Sequence, residues 1–217
     1  CSGCNFRLAK KDLLVVFFLS LLRATTSFSL LIAYQNIATG VASTIHFMYP
    51  LAVSLAMMFF FHEKKSLLVM LAVLMSLFGA ALLSSGELEA KSGDTIVGLV
   101  AACISVFSYG GYIIGVRTAR AAQINSTVLT CYVMGMGAVL YLIGAMATFG
   151  LHLVTDGYIW LIILGLALPA TAISNITLVR AIKYAGPTLT SILGAMEPLT
   201  AVVIGVFVFK ELFTLIS

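Results

Sequence analysis

The chain has 217 residues, of which 61% are hydrophobic and only 9% are charged, and its formal net charge is +4. A soluble domain carries about 25% charged residues because its surface faces water. This composition, with a mean hydropathy of +1.13, therefore excludes an ordinary soluble globule. The basic residues lie at the ends of apolar runs and form no patch with exposed aromatics, which excludes a nucleic-acid-binding protein.

Seven apolar runs are long enough to cross a membrane as helices, which takes about 20 residues each. Their continuity excludes a β-barrel, whose spans are short segments of alternating hydrophobicity. The chain is therefore predicted to be an all-α, polytopic helical membrane protein whose surroundings are the lipid bilayer. In chain order the predicted spans are Leu13–Gln35, Thr39–Phe61, Ser66–Ser84, Ile96–Val116, Thr127–Phe149, Tyr158–Ile182 and Pro187–Phe209.

Alternate connections between these spans carry positive charge. Lys10 and Lys11 precede the first span, Lys64–Lys65 follow the second, and Arg117–Arg120 follow the fourth. The positive-inside rule places such connections in the cytoplasm. We therefore predict a multi-pass protein of the plasma or inner membrane, with these three segments on its cytoplasmic side.

An internal repeat relates the second span to the seventh. A shift of 148 residues places residues 33–63 over residues 181–211 with eight identities and no gap. Apolar sequences match one another easily, so the rarer residue types decide the comparison. Two of the four prolines in the chain, Pro50 and Pro198, align at mid-span, and a leucine follows each.

Both aligned copies end on a glutamate, Glu63 and Glu211, 13 residues after the proline. We predict that these carboxylates mainly stabilise helix ends beside loops. Because an odd number of spans separates equivalent points, the two copies cross the membrane in opposite directions. Inverted repeats of this kind are typical of secondary transporters.

The pattern AYQNIATGVASTIHFMYP…HEKK, echoed by AIKYAGPTLTSILGAMEPLTAVVIGVFVFKE, resembles the EamA-like family of the drug/metabolite transporter superfamily. The resemblance implies two inverted five-helix repeats, each with a mid-helix proline and a glutamate that ends the fourth helix. On that template the seven spans correspond to helices three to nine of an expected ten. The resemblance thus implies a first repeat over residues 1–84, without its first two helices, and a second over residues 85–217, without its last helix. Members are mostly exporters of amino acids, metabolites or drugs, so an exporter working by alternating access is expected.

Two charged residues lie near the middle of predicted spans, where charge is costly and usually faces protein or water. Arg23 lies in the first span and either holds the packing through an ion pair or contacts the substrate. Glu197 lies in the seventh span, directly before Pro198. It either stabilises the proline kink by hydrogen bonding or binds substrate or a proton.

Helical spacing groups further polar residues around Glu197. Thr190, Gly194 and Glu197 share one face of the seventh span. The repeat places His46 and Tyr49 at the equivalent positions of Gly194 and Glu197. If both faces line the axis of the repeat, a carboxylate faces an imidazole and a phenol, which suits a small amphipathic ligand. His46 has a simpler alternative role, an interhelical hydrogen bond.

Further candidates lie on the fourth and sixth spans. Tyr109 and Tyr112 are predicted to line the transport path, and Asn175 adds polarity to the sixth span.

The sequence contains none of the common motifs for catalysis, metal or nucleotides. We therefore expect no enzyme activity, no metal site and no cofactor. The expected partner is a small-molecule substrate, and the sequence leaves open whether the protein forms a homodimer. Two alternatives to transport also stay open: a non-transporting membrane scaffold or sensor subunit, and a membrane-embedded enzyme.

Overall fold

The computed structural model describes residues 8–63, 93–148 and 156–194, together with eight further residues at 71, 74, 75, 78, 196, 197, 200 and 207. All regular elements in this part of the chain are helical. The α-helices are α1 (Lys10–Asn36), α2 (Thr39–His46), α3 (Tyr49–Phe60), α4 (Thr95–Thr118), α5 (Ser126–Thr148), α6 (Gly157–Gly165), α7 (Ser174–Ala185) and α8 (Pro187–Gly194). A 3₁₀ turn over Arg120–Gln123 precedes α5, and a π-helical segment over Leu166–Ile173 joins α6 to α7.

Five of the seven predicted spans are confirmed by helices long and apolar enough to cross a membrane. The third predicted span lies almost wholly outside the described residues, and the seventh is described only from its start at α8 and at isolated positions. The confirmed spans are Lys10–Asn36, Thr39–Phe60, Thr95–Thr118, Ser126–Gly144 and Gly157–Ala185.

Large apolar side chains are widely exposed on these helices. Phe60 is 78% exposed, Phe107 73% and Trp160 49%, and no residue of α6 is buried. A soluble monomer rarely leaves so much contiguous apolar surface in water. Lipid is the solvent that removes this cost, so the exposed faces confirm a helical membrane protein.

The second span is interrupted, although the sequence predicted one continuous helix. Helix α2 ends at His46 and α3 begins at Tyr49, with a turn at Phe47 and Met48 between them. Pro50 explains the interruption because it has no N–H to bond the carbonyl four residues earlier, at His46. The proline therefore takes a position in the first turn of α3, where a missing donor costs least.

The chain divides into two compact units, the first formed by Cys1–Ala24 and Gly115–Gly186. Its core contains Val16 and Leu19 of α1, which are buried together with Val116, Leu129 and Ile182. Gly115 permits close packing here, since a side-chain Cβ at this position would lie 2.7 Å from Leu19 Cδ2.

The second unit is formed by Thr25–Ile114 and Pro187–Ser217. Small residues of α1, α2 and α4 make one cluster of its core, including Ala33, Ala42 and Ala102, which are not exposed at all. Small side chains let the helix backbones approach closely, as is typical of membrane bundles. The predicted repeats at residues 1–84 and 85–217 describe a sequence relation, and that division stays a prediction.

Candidate functional site

The candidate site in the second unit begins at the interruption between α2 and α3. His46 is the last residue of α2 and Tyr49 is the first of α3, so the break brings both rings to one level. The His46 and Tyr49 rings lie 5.6 Å apart between centroids. Tyr49 is almost completely buried, whereas His46 is half-buried.

Helix α4 adds two tyrosines to these rings. The centroid of Tyr109 lies 4.7 Å from that of Tyr49 in an edge-to-face arrangement and 5.5 Å from that of His46. Tyr112 continues the group, stacked on Tyr109 at 6.3 Å. Such spacings are favourable for aromatic pairs. The structure therefore brings together four of the predicted candidates, which we call the aromatic cluster: His46, Tyr49, Tyr109 and Tyr112.

Hydrogen bonding fixes the orientation of His46. Its Nδ1 lies 2.9 Å from Ser105 Oγ on α4. Ser105 has a single hydroxyl proton, which it donates to the Ala102 carbonyl at 2.6 Å. Nδ1 is therefore the donor to Ser105, which leaves Nε2 as the acceptor nitrogen whenever the imidazole is neutral. The predicted interhelical hydrogen bond of His46 is present.

Helices α3 and α8 pack against each other at both ends of α3. At one end the Tyr49 hydroxyl lies against Gly194, where a Cβ would stand only 2.2 Å from it. At the other end, Thr188 Oγ1 donates a 2.6 Å hydrogen bond to Glu63 Oε2. Glu63, three residues after the end of α3, thus meets the start of α8, and Tyr49 at the start of α3 meets its end, so the two helices run antiparallel.

Two buried hydroxyls lie on this pair of helices. Among the described residues, Ser54 Oγ on α3 and Thr190 Oγ1 on α8 are buried without a hydrogen-bond partner. Buried polar atoms are nearly always bonded, to protein or to something else. Both oxygens are therefore available to a water molecule or a ligand. Thr190 was predicted from its helical face, whereas Ser54 was not.

Glu197 lies beyond α8 and is exposed. Its carboxylate is near enough to the Tyr49 phenol to interact with it electrostatically. The predicted arrangement of this carboxylate beside an imidazole and a phenol stays a prediction. Its kink partner Pro198 and the second repeat glutamate, Glu211, lie outside the described residues.

The other two candidates, Arg23 and Asn175, belong to the first compact unit. Arg23 is half-buried at the middle of α1. Asn175 is buried on α7 and donates a 2.7 Å hydrogen bond to the Thr171 carbonyl in the π segment. The structure thus gives Asn175 a local backbone role.

Sequence reasoning missed Thr188 and the contact that it makes. Thr188 is 125 residues from Glu63, and no motif or periodicity links them. Within the part of the chain that the structure describes, no three His, Cys, Asp or Glu side chains group as metal ligands.

Comparison with curated proteins gives no match. A family model described as the EamA-like transporter family matches residues 96–217, which is more than half of the chain. The drug/metabolite transporter superfamily includes this family. The chain therefore belongs to the EamA-like transporter family.

Proposed function

We propose that this transporter exports amino acids or related small metabolites across the cell membrane by alternating access. The proposal joins three features: a helix break that occurs twice, an antiparallel contact between the broken helices, and an aromatic cluster beside a carboxylate. Membership of the family supports transport of small molecules in general. The residues of the candidate site support the narrower proposal of amino acid or metabolite export.

The duplicated helix break is the observation that carries the proposal. Helix α8 begins 148 residues after α2, and the turn at Met196 lies 148 residues after the turn at Met48. The backbone bonds after the two helices also correspond. Met48 donates to the Ile45 carbonyl at 3.0 Å, and Met196 donates to the Leu193 carbonyl at 3.1 Å.

The backbone hydrogen bonds in the next turn of each copy also correspond. Ala52 donates to the Met48 carbonyl at 3.2 Å, and Thr200 donates to the Met196 carbonyl at 3.0 Å, again 148 residues apart. Discontinuous helices at mid-membrane form the substrate sites of many secondary transporters. Two such breaks at equivalent residues therefore support a binding region built from both copies.

The direction of the helices supports an inverted repeat. The contacts of Tyr49 with Gly194 and of Glu63 with Thr188 require α3 and α8 to run antiparallel. Two similar halves that face opposite ways can exchange conformations, which opens the site first to one side and then to the other.

The chemistry of the site favours a ligand with an amine. Tyr49 and Glu197 occupy equivalent positions of the two copies, since they are 148 residues apart. A carboxylate binds an ammonium group by charge, and aromatic faces attract the same group through cation–π interactions. The unpartnered hydroxyls of Ser54 and Thr190 offer further hydrogen bonds. An amino acid or a related amine meets these requirements.

Transport in liposomes tests the proposal. The purified full-length protein should move at least one member of a panel of labelled amino acids and amines, with a dependence on an imposed pH gradient. Glu197→Gln keeps the shape of the side chain but removes its charge, so it should abolish coupled transport while the protein still folds.

The matched control is Glu87→Gln, which removes a carboxylate that lies between predicted spans. This variant should transport like the wild-type protein. Wild-type protein that moves no member of the panel would favour the scaffold alternative. Unchanged transport and pH dependence in Glu197→Gln would reject the role of Glu197 and leave the transporter class standing.

A further inference from the structure

A basic pocket in the first compact unit lies apart from the residues used so far. It has a volume of about 460 Å³ and lies where the end of α4, the start of α5 and the end of α7 meet. Its polar lining residues are Arg117, Asn125, Ser126, Arg180, Lys183 and Tyr184. No acidic side chain is among the residues that line it, so no carboxylate in the lining balances the positive charge of the pocket.

Three cations converge on this pocket from two helices. Arg117 lies in the last turn of α4, and Arg180 and Lys183 lie on α7. Backbone carbonyls hold two of them: Arg117 donates to the Lys183 carbonyl, and Lys183 donates to the Ile124 carbonyl. These bonds fix the positions of the cations but do not neutralise them. Like charges held together at close range repel, and a bound anion relieves that repulsion.

The start of α5 adds to the positive potential. Asn125 caps this helix, because its side-chain oxygen accepts a 2.9 Å hydrogen bond from the Thr127 N–H. The N-terminus of a helix carries a partial positive charge and presents backbone N–H groups. The planar guanidinium group of arginine matches phosphate oxygens in geometry as well as in charge.

The pocket lies at the level of a membrane surface, since it is formed where three apolar spans end. Tyr184 at its rim is 87% exposed, and tyrosines are enriched at the interface between lipid tails and water. By the positive-inside rule this end faces the cytoplasmic leaflet, which contains anionic lipids. The phosphate groups of lipids lie at this depth.

We propose that this pocket is a binding site for a phosphate oxyanion, supplied either by an anionic phospholipid headgroup or by free phosphate. Arg117, Arg180 and Lys183 bind the oxyanion, and the first turn of α5 faces it. The site is independent of the proposed substrate site, so either proposal can fail alone. Its occupation should stabilise the folded protein because the ligand binds only where the three helix ends are assembled.

Thermal unfolding of the purified full-length protein in a zwitterionic detergent tests the site. Three probes are added separately: a short-chain phosphatidylglycerol, the matching phosphatidylcholine, and inorganic phosphate against chloride at equal ionic strength. Phosphatidylglycerol should raise the unfolding midpoint by several degrees, and phosphatidylcholine should have at most a small effect. If inorganic phosphate alone also raises the midpoint, free phosphate is a ligand of the site. If phosphate alone leaves the midpoint unchanged, the site binds only the lipid.

Variants locate the effect. Arg180→Gln should at least halve the shift of the midpoint, and the double variant Arg117→Gln/Arg180→Gln should abolish it. The control is Arg120→Gln, which removes a nearby cation that does not line the pocket but faces Asp12 at 3.8 Å. This variant should keep the full shift.

Two results would overturn the proposal. One is that neither phosphatidylglycerol nor phosphate raises the midpoint of the wild-type protein. The other is that Arg120→Gln reduces the shift as much as Arg180→Gln, because a general charge effect then explains it. If the double variant fails to fold, Arg180→Gln and Arg120→Gln alone still decide between these outcomes.

Discussion

At the scale of single residues, Gly194 and Tyr49 depend on each other. The Tyr49 hydroxyl occupies the volume that any side chain at position 194 would need, because a Cβ there would lie 2.2 Å from the oxygen. The next atom of the ring, Cζ, lies 3.5 Å from the same Cβ, an ordinary contact distance. The hydroxyl alone therefore makes glycine necessary at this position.

The first prediction follows from these two distances. Gly194→Ala should destabilise the protein by about 1–3 kcal/mol, the usual cost of overpacking a buried contact. Adding Tyr49→Phe removes the clashing oxygen and should restore most of the lost stability. Thermal unfolding of both single variants and the double variant measures this. If Gly194→Ala destabilises the wild-type protein and the Tyr49→Phe variant by the same amount, the packing described here is contradicted.

The second prediction concerns the bond between Thr188 and Glu63. A hydroxyl that donates to a carboxylate at 2.6 Å forms a charge-assisted hydrogen bond, which is stronger than a neutral one. Because Glu63 is exposed, solvent weakens the interaction, and a coupling of about 1 kcal/mol is expected. A double-mutant cycle with Thr188→Val and Glu63→Gln measures this coupling.

A matched cycle provides the control for that coupling. Thr177 of α7 is an exposed threonine that donates to the carbonyl of Ile173, the last residue of the π segment. Thr177→Val combined with Glu63→Gln should show no coupling, because Thr177 has no bond to Glu63. A coupling near zero in the Thr188 cycle would reject a stabilising role for Glu63.

Residue contacts were predictable from the sequence where they follow from helical spacing or from the alignment of the two copies of the repeat. The repeat aligned His46 with Gly194 and Tyr49 with Glu197, and the structure places the Tyr49 hydroxyl against Gly194 and its phenol within electrostatic range of Glu197. The bond from Thr188 to Glu63 had no such signal, because it depends on how two distant helices pack. Neither periodicity nor propensity contains that information.

At the scale of elements, prolines interrupt the helices in two different ways. Before Pro50 the helix stops at His46 and restarts at Tyr49. Around Pro169 the helix continues but widens into a π segment over Leu166–Ile173. Thr171 Oγ1 donates to the Leu166 carbonyl at 3.2 Å within that segment. A side chain thus supplies a donor to a carbonyl where the helix has widened, as expected for proline in a membrane helix.

The third prediction tests this explanation. Pro169→Ala supplies the missing N–H and should let residues 166–173 return to an α-helix, with a gain of up to about 3 kcal/mol in stability. Amide hydrogen exchange across this segment should slow, and the unfolding midpoint should rise. The control is Pro187→Ala, since Pro187 is the first residue of α8, where no donor is missing. Equal changes in both variants would rule out the π segment as the source of the effect.

The sequence predicted the existence of these helices better than their continuity. Observed and predicted ends of the fourth span differ by two residues at most, since apolar length alone sets them. The break before Pro50 and the widening at Pro169 were not predicted. Both segments lie within long, mainly apolar runs, so hydrophobic periodicity cannot distinguish an α turn from a π turn or a gap. The prolines mark where such changes occur but not which of them results.

At the scale of the whole molecule, charge and span count together determine the topology. Helix α4 has 24 residues and is therefore about 36 Å long, enough to cross a hydrocarbon core of about 30 Å. Its last turn contains Arg117, and Arg120 follows it, whereas Asp94 precedes its first residue. We therefore propose that the residues on either side of α4 lie on opposite sides of the membrane, with the basic side in the cytoplasm.

The last prediction tests this orientation with single cysteines. Thr95 is the first residue of α4 and Gln123 ends the 3₁₀ turn that follows this helix; both are exposed, so neither substitution disturbs packing. In a background with the four native cysteines replaced, Thr95→Cys should react with a membrane-impermeant maleimide added to intact cells. Gln123→Cys should react only after the membrane is made permeable. Labelling of both positions from the same side would mean that α4 does not cross the membrane. The reverse pattern would keep the crossing but invert the protein, and the basic pocket would then face the outer leaflet.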